Sequence, residues 1–423
     1  MSDPIVSRPG AGRFNRLVVV LAVIGAITLT AAAVLALLIP QEGDSVTPAD
    51  VIGAPVRAQT AAGDRIFLLT SQWRTTRPYS SRRTSAARPA YVDLLIDVWA
   101  FDAGDGRLVW RRQLEADRSG LNMGRAVVGA DARAVWVLAG EGLMGLSPAD
   151  GSTVADVERL EAANPQLKGR IPREPDYYHF DGRGLWFTAA DARRWRLAGP
   201  ELQARPESEA TGASEVFAPA RWSGGVSTWM FHERGVRLGD RWLGVLSERE
   251  AKASAEEGEL KLVSSEDEPL GRLWSAYIRQ AATHFGAETV YERFEPLPQS
   301  PEFVQGGLLS DGKDNGLPIL PTGPDSVLVL HRDRLGAEGR WRISRVAGPG
   351  GRVLWTAALP MARFDAVMPG KTTLAIQGSQ PEPDPQRPGS GLTEDVDHLA
   401  VIDLVSGRTT LHRLAASGDW PKK

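Results

Sequence analysis

The sequence predicts an all-β protein: a single β-propeller of about seven four-stranded blades, preceded by one N-terminal transmembrane helix. Two observations predict it. A spaced pattern recurs along the 423-residue chain, with an apolar residue, a turn residue, a glycine and then a tryptophan or another apolar residue. A long uncharged stretch also lies near the N-terminus. The pattern indicates an architecture and the stretch indicates a location, but neither indicates a particular reaction or ligand.

Leu17–Ile39 is the predicted membrane span because none of its residues is charged. As a helix it would be ~35 Å long at ~1.5 Å per residue, which exceeds the ~30 Å hydrocarbon core. Basic residues precede it and acidic residues follow it, which predicts a cytoplasmic N-terminus and an outer C-terminal domain (Arg8, Arg13, Arg16; Glu42, Asp44). A cleaved signal peptide is the alternative, although its apolar core would normally be only about 7–15 residues long.

These features predict the following organisation of the chain. A cytoplasmic tail (1–16) and the span (17–39) come first, followed by a polar tether (40–50), a propeller domain (51–416) and a short tail (417–423). The abundance of arginine and alanine is typical of a GC-rich bacterial genome. The predicted location is therefore the bacterial inner membrane, with a single pass and a periplasmic domain. A cytoplasmic segment of this length buries too little surface to fold, so we expect the activity to reside in the outer part.

The repeated pattern fits two strands joined by a tight turn that a glycine closes, because glycine tolerates the positive φ that such turns need. The clearest copy runs from a four-residue turn into a tryptophan. The residues that define the four copies are Asp102, Gly106 and Trp110; Gly151; Gly351 and Trp355; and Asp403 and Gly407. The alternative is that this is a common hairpin turn scattered through another β-fold.

The spacing of the glycines predicts the number of blades. Gly106 and Gly151 are 45 residues apart, Gly151 and Gly351 are 200 apart, and Gly351 and Gly407 are 56 apart. The long interval fits four steps of about 50, which would hide three degenerate copies and give seven blades, within the usual four to eight. Trp195 is a candidate for one hidden copy, with Asp191 where the glycine would be.

The sequence from Asp102 through Gly106 to Trp110 resembles the blade motif of the PQQ-like (quinoprotein alcohol dehydrogenase-like) propeller repeats. In that family, tryptophans dock one blade on the next. The resemblance is good over 92–114 and 342–359, fair over 134–155 and 398–411, and absent from the middle third. A single anchor followed by degenerate blades also resembles uncharacterised membrane-anchored propeller proteins of proteobacteria. The resemblance implies a propeller fold and supplies no catalytic motif.

The composition excludes several functions. With no cysteine, the chain has no disulfide, thiolate metal site, lipoprotein anchor or cysteine nucleophile, and it lacks the adjacent cysteines of quinoprotein dehydrogenases. The formal net charge of −3 gives no reason to expect nucleic-acid binding. The six histidines are isolated in sequence (His179, His232, His284, His331, His398, His412). The sequence therefore predicts no cofactor and no metal site.

Four segments interrupt the strand pattern. Ser247–Glu250 form a capping box, which predicts a short helix near 247–257 inside an acidic insertion, 247–268. An arginine-rich stretch, 74–88, is either a hairpin extension or a surface for anionic lipid or an acidic partner. Pro381–Asp397 is predicted to be its counterpart loop in the last blade. Asp311–Gly316 is predicted to be a turn, and Asp395–His398 to be a strand-edge turn or a cation site.

The predicted function is therefore a binding or scaffold module rather than an enzyme, with an envelope protein or a periplasmic ligand as its partner. The alternative is a propeller hydrolase or lyase whose site lies at one end of the central channel. Such a site draws residues from separate blades, so it cannot be identified in one sequence.

Overall fold

The structure is a computed structural model of the chain. It describes residues 45–76, 91–117, 124–140, 142–181, 184–198, 202–207, 232–263, 267–283, 286–310, 318–321, 325–336, 338–348, 350–383 and 389–414. Val46–Arg74 and Val92–Lys423 belong to one compact unit, to which the following description refers. Of the other unit, Met1–Ser45 with Thr75–Tyr91, only strand ends are described.

The first three sheets follow one another in chain order. Sheet A contains β1 Ser45–Val46, β2 Asp50–Val51, β3 Val56–Thr60, β4 Gly63–Thr76, β5 Tyr91–Asp102 and β6 Leu108–Asp117. Sheet B contains β7 Ala126–Ala130, β8 Val135–Ala139, β9 Gly142–Leu146 and β10 Thr153–Ala155. Sheet C contains β11 Tyr178–Phe180, β12 Leu185–Thr188, β13 Arg194–Ala198 and β14 Gln203–Pro206.

Three further sets of strands complete the described part. Sheet D contains β16 Gly235–Leu238, β17 Arg241–Leu246, β18 Leu270–Thr283 and β19 Gly286–Pro296. Sheet E contains β20 Phe303–Leu309, β21 Ser326–Arg332, β22 Trp341–Ala347 and β23 Val353–Ala358, with β15 His232–Glu233 beside β20. Sheet F contains β24 Arg363–Pro369, β25 Thr373–Pro383, β26 Thr393–Asp403 and β27 Thr409–Arg413.

The strands pair antiparallel with their neighbours in the chain, so each set contains a four-stranded meander. Sheets D and E are joined edge to edge, because the start of β18 also pairs with β20. The protein is thus all-β, and its four-stranded antiparallel sheets fit a β-propeller. The described residues contain six such sets. The sequence predicts three sets between sheets B and E, and the described residues contain two of them, sheets C and D; residues 208–231 lie outside the described residues.

Four pairs of consecutive sheets share a hydrophobic core among the described residues. One cluster joins sheets A and B, a second joins B and C, a third joins D and E, and a fourth joins E and F. A fifth cluster joins the first sheet to the last, with Leu68 and Phe101 of sheet A packed among Leu399 and Val401 of sheet F. The chain therefore closes on itself from its last sheet to its first, as a ring of blades requires.

Arg57 stabilises this closure by polar contacts. Its side chain, 9% exposed, pairs with Asp64 at 2.7 Å within sheet A. It also donates hydrogen bonds to the carbonyls of Met368 and Thr373, at 3.2 and 3.0 Å, in the β24–β25 turn of sheet F. A Cβ on Gly370 would lie only 2.0 Å from the guanidinium. The guanidinium thus occupies space that only glycine leaves free.

The described residues also contain two α-helices, α1 Val157–Ala163 and α2 Glu248–Glu257, and two 3₁₀ turns, Pro165–Leu167 and Pro175–Tyr177. The capping box correctly predicted α2: Ser247 accepts a hydrogen bond from the Glu250 amide, and Glu250 accepts one from the Ser247 amide. The Glu250 carboxylate is buried against Arg234 at 2.6 Å, so it is not part of an exposed acidic surface.

Three sequence-based predictions are wrong. Trp195 is not a hidden copy of the motif, because it lies on the third strand of its sheet, opposite Phe187, after the turn that joins the second strand to the third. Pro381–Asp397 is not one loop, because cross-strand pairing extends the hairpin to Pro383 and Thr393. Arg74 belongs to strand β4 rather than to a loop and pairs with Asp93 at 2.7 Å.

No helix among the described residues is long and apolar enough to cross a bilayer. The predicted span, Leu17–Ile39, lies outside those residues.

Candidate functional site

A cleft of ≈ 290 Å³ opens where the N-terminal segment meets the last sheet. One wall is the chain from Asp50 to Pro55, and the other is formed by the first three strands of sheet F, β24, β25 and β26. Its lining residues include four aspartates and a single arginine (Asp50, Asp365, Asp395, Asp397; Arg363). The cleft therefore exists because the chain closes from its last sheet to its first.

The strand pattern explains how the side chains of β24 reach the cleft. Phe364 is fully buried in the core, so its neighbours Arg363 and Asp365 lie on the opposite side of the strand. The pairing of β24 with β25 shifts register between Phe364 and Ala366 and leaves Asp365 without a cross-strand partner. Such a bulge re-aims a side chain and is often found beside a functional site.

Arg363 and Gln377 hold the Asp365 carboxylate from two sides. The Arg363 Nε donates a hydrogen bond to Oδ1 at 3.0 Å, and the Gln377 amide donates one to Oδ2 at 3.3 Å. Arg363 also lies 3.7 Å from Asp395. One guanidinium thus faces two carboxylates, and the cleft keeps an excess of negative charge.

Asp397 joins the two walls of the cleft. Its side chain lies on β26, and its Oδ2 accepts a hydrogen bond of 2.6 Å from the backbone amide of Val51. Asp397 is only 7% exposed. Burial raises its pKa to about 7; the Val51 amide opposes this shift, and Asp365 and Asp50 add to it. This carboxyl group is therefore close to half-protonated at neutral pH.

The pKa of Asp50 is also raised, chiefly by burial. Arg363 opposes that shift and Asp395 adds to it. Burial is the main cause of both raised pKa values, and repulsion from neighbouring aspartates adds to each of them. A positively charged ligand would relieve this repulsion.

Metal binding receives no support from the described residues, where no three histidine, cysteine or acidic side chains are grouped closely enough to hold an ion. Strand β26 does not bring the residues of the predicted cation site, Asp395–His398, together in one place. Asp395 and Asp397 line the cleft, whereas His398 contacts the Val396 carbonyl at 2.9 Å and Glu382 at 3.3 Å. Asp311–Gly316 and His284 lie outside the described residues.

The repeated motif builds the same turn four times, each between the last two strands of a sheet in chain order. In every copy the glycine amide donates to the carbonyl four residues earlier, at 2.8–2.9 Å, and the glycine φ lies between +73° and +76°. The donor and acceptor pairs are Gly106 and Asp102, Gly151 and Ser147, Gly351 and Ala347, and Gly407 and Asp403. The motif residues therefore shape the end of the sheets away from the cleft.

The two tryptophans of the motif connect neighbouring sheets. The Trp110 indole donates to the Pro148 carbonyl at 3.0 Å, and the Trp355 indole donates to the Leu404 carbonyl at 3.0 Å. In both cases the acceptor is the second residue of the next copy's turn. The motif residues lie at these sheet contacts and do not line the cleft.

Sequence reasoning did not single out Asp50, Arg363, Asp365 or Gln377. Asp365 comes from a bulge, and Asp50 is separated from it by most of the chain. The one available signal was the expected adjacency of the first and last blades, combined with the paired aspartates at Asp395 and Asp397.

Comparison with known proteins gives no family for this chain. No family model matches it, and no curated protein matches it. Among solved structures, BamB from Moraxella catarrhalis is 12% identical, with 87% of this chain and 91% of that chain covered and a TM-score of 0.20. A variant of S. cerevisiae Dbp5 bound to Nup159, Gle1, IP6 and ADP is 10% identical, with coverages of 87% and 94% and a TM-score of 0.19.

An engineered GH43 glycoside hydrolase is 11% identical, with coverages of 90% and 94% and a TM-score of 0.17. All three TM-scores are far below 0.5. These likenesses therefore carry no argument about the activity or the partners of this chain.

Proposed function

We propose that this chain is a membrane-anchored binding module: a β-propeller, held at the bacterial inner membrane by Leu17–Ile39, whose acidic cleft takes a positively charged group of a periplasmic partner. The observation that carries this proposal is the convergence of four aspartates and one arginine on the cleft. An arginine or lysine side chain of a partner protein has the matching charge. The repeated turns, the tryptophan contacts and the resemblance to PQQ-like repeats support the propeller.

The size of the cleft favours a single side chain over a larger ligand. Sites for drug-sized ligands enclose roughly 300–1,000 Å³ and are mostly apolar. This cleft, at ≈ 290 Å³, lies just below that range and is lined largely by charged groups. We therefore infer that it recognises one cationic side chain within a broader contact between proteins.

The test uses two small probes that differ in charge and hardly in shape. N-acetyl-arginine amide is expected to raise the melting temperature of the full-length protein in detergent, and N-acetyl-citrulline amide is not. Replacing two cleft carboxylates (Asp50→Asn with Asp395→Asn) is expected to weaken arginine binding tenfold or more, since a loss of about 1.4 kcal/mol is tenfold.

Glu302→Gln is the matched control, because Glu302 is an exposed carboxylate outside the cleft. This variant should bind the arginine probe like the wild type. Equal binding of both probes, or unchanged binding by the double variant, would contradict the proposal.

A second function, acid–base hydrolysis or elimination, is favoured by one observation. Asp397, with a pKa of about 7, lines the same cleft as Asp365, whose carboxylate is held by Arg363 and Gln377. A carboxyl group with a raised pKa beside a second carboxyl group can act as a general acid or base. Turnover of p-nitrophenyl esters or glycosides that Asp397→Asn abolishes and Glu302→Gln preserves would support this function over simple binding.

A further inference from the structure

The N-terminal segment leaves the sheets in a defined direction. Val51 lies opposite Thr70 and Asp50 opposite Ser71, in antiparallel register along strand β4. Two hydrogen bonds of 2.9 Å, between Thr47 and Trp73, continue this pairing. Going toward the N-terminus, the chain therefore runs toward the C-terminal end of β4.

The tether between this point and the predicted membrane span is short. Seven residue steps separate Ile39 from Val46. At ~3.3–3.6 Å per residue, they reach at most about 25 Å when fully extended. The polar layer of a bilayer takes up roughly 5–8 Å of this distance on each side of the hydrocarbon core. The end of the domain that carries Thr47 and Trp73 must therefore lie close to the membrane surface if the span is in the membrane.

Two apolar side chains are exposed at this end. Trp73 is 41% exposed on β4, and Val92 is 43% exposed at the start of β5. Tryptophan is enriched where a protein meets the headgroup layer, so an exposed indole at this end suits contact with a bilayer. Arg74, beside Trp73, pairs with Asp93 at 2.7 Å, so the charge of that aspartate is balanced.

We propose that this end of the domain rests on the bilayer from which the chain emerges, with Trp73 and Val92 in the headgroup layer. The proposal rests on the membrane anchor of the proposed function. It fixes the orientation of the domain: the four motif turns, at the opposite ends of the sheets, point away from the membrane, and the acidic cleft opens near its surface.

The absence of cysteine makes a clean labelling experiment possible, because any introduced cysteine is unique. Trp73→Cys, Val92→Cys and Val405→Cys are labelled with a nitrobenzoxadiazole fluorophore in the full-length chain, reconstituted into phosphatidylcholine–phosphatidylglycerol vesicles. Val405, 75% exposed in the last motif turn, is the control at the far end. Spin-labelled lipids are expected to quench positions 73 and 92 at least fivefold more than position 405.

Equal quenching at all three positions would overturn the orientation. Retention of the protein on vesicles after carbonate washing distinguishes a failure of the membrane anchor from a failure of the proposed membrane contact. A protein that washes off contradicts the anchor itself, whereas a retained protein with unquenched labels at 73 and 92 contradicts only the proposed membrane contact. Because Val92→Cys changes little volume, it keeps the test valid even if Trp73→Cys misfolds.

Discussion

The indole of Trp355 lies over Gly407 of the neighbouring sheet, where an added Cβ would come within 2.7 Å of the ring. Trp110 has the same relationship with Gly151, at 2.8 Å. Tryptophan and glycine are thus two halves of one contact, made between successive copies of the motif. The repeat in the sequence therefore reflects the contact by which one sheet packs on the next.

Gly407→Ala is therefore expected to destabilise the protein for two reasons. Alanine is strained at the φ of +74° found there, and its Cβ would collide with Trp355. Together these effects should lower the free energy of unfolding by about 2–4 kcal/mol. Gly391→Ala is the control, since Gly391 has a φ of +73° but nothing within 4 Å of an added Cβ. Similar losses in the two variants, measured by urea unfolding, would contradict the packing role of the indole.

Replacing the motif tryptophans by phenylalanine should remove one hydrogen bond each and keep an aromatic ring. Trp110→Phe leaves the Pro148 carbonyl without its indole donor, at an expected cost of about 1–2 kcal/mol. Trp355→Phe should cost less, about 0.5–1 kcal/mol, because the Leu404 carbonyl still accepts a hydrogen bond from Arg345. The two contacts join different pairs of sheets and share no residue, so the losses should add in the double variant. A double variant no less stable than either single variant would show that the indoles do not act independently.

Arg57→Ala tests the closure between the first and last sheets. The change removes the ion pair with Asp64, whose side chain is 35% exposed, and two hydrogen bonds to carbonyls of sheet F, which is expected to cost about 2–3 kcal/mol. Arg279→Ala is the control, because the Arg279–Glu292 pair is 61% and 41% exposed and should contribute no more than about 1 kcal/mol. Equal effects of the two changes on chemical unfolding would exclude a special role of Arg57 in closure.

Asp397 is expected to make stability depend on pH. Its folded pKa of about 7 is above the ordinary value of 3.8, so the folded state binds the extra proton. The stability it contributes is complete below pH 3.8 and is lost as pH rises through about 7. Asp397→Asn should remove this loss, because the amide oxygen can still accept from Val51, and the variant should exceed the wild type in stability above pH 7. Parallel unfolding curves between pH 5 and pH 8 would contradict the raised pKa.

The local turns could be predicted from the sequence because each depends on a few neighbouring residues. Glycine at positive φ after a four-residue turn is a local requirement, and the four copies share the same hydrogen bonds. Trp195 shows the limit of this reasoning. Its spacing from Asp191 imitates the motif, but the turn before it joins a different pair of strands. Sequence spacing does not say which strand of a sheet a residue occupies.

The cleft could not be predicted because it is made by contacts between distant parts of the chain. Val51 and Asp397 meet only after the last sheet has packed on the first. The orientation of Asp365 depends on a bulge in β24, which no local sequence feature specifies. The sequence predicts a loop from Pro381 to Asp397, but cross-strand pairing continues the hairpin to Pro383 and Thr393.

The most direct test of the account is the affinity of the wild-type protein for N-acetyl-arginine amide at pH 6 and pH 8. Deprotonation of Asp397 above about pH 7 adds a negative charge to the cleft, so binding should become several-fold tighter at pH 8. Asp397→Asn should remove this difference. Affinity that is equal at both pH values, or stronger at pH 6, would contradict the proposal that the cleft binds a cationic side chain.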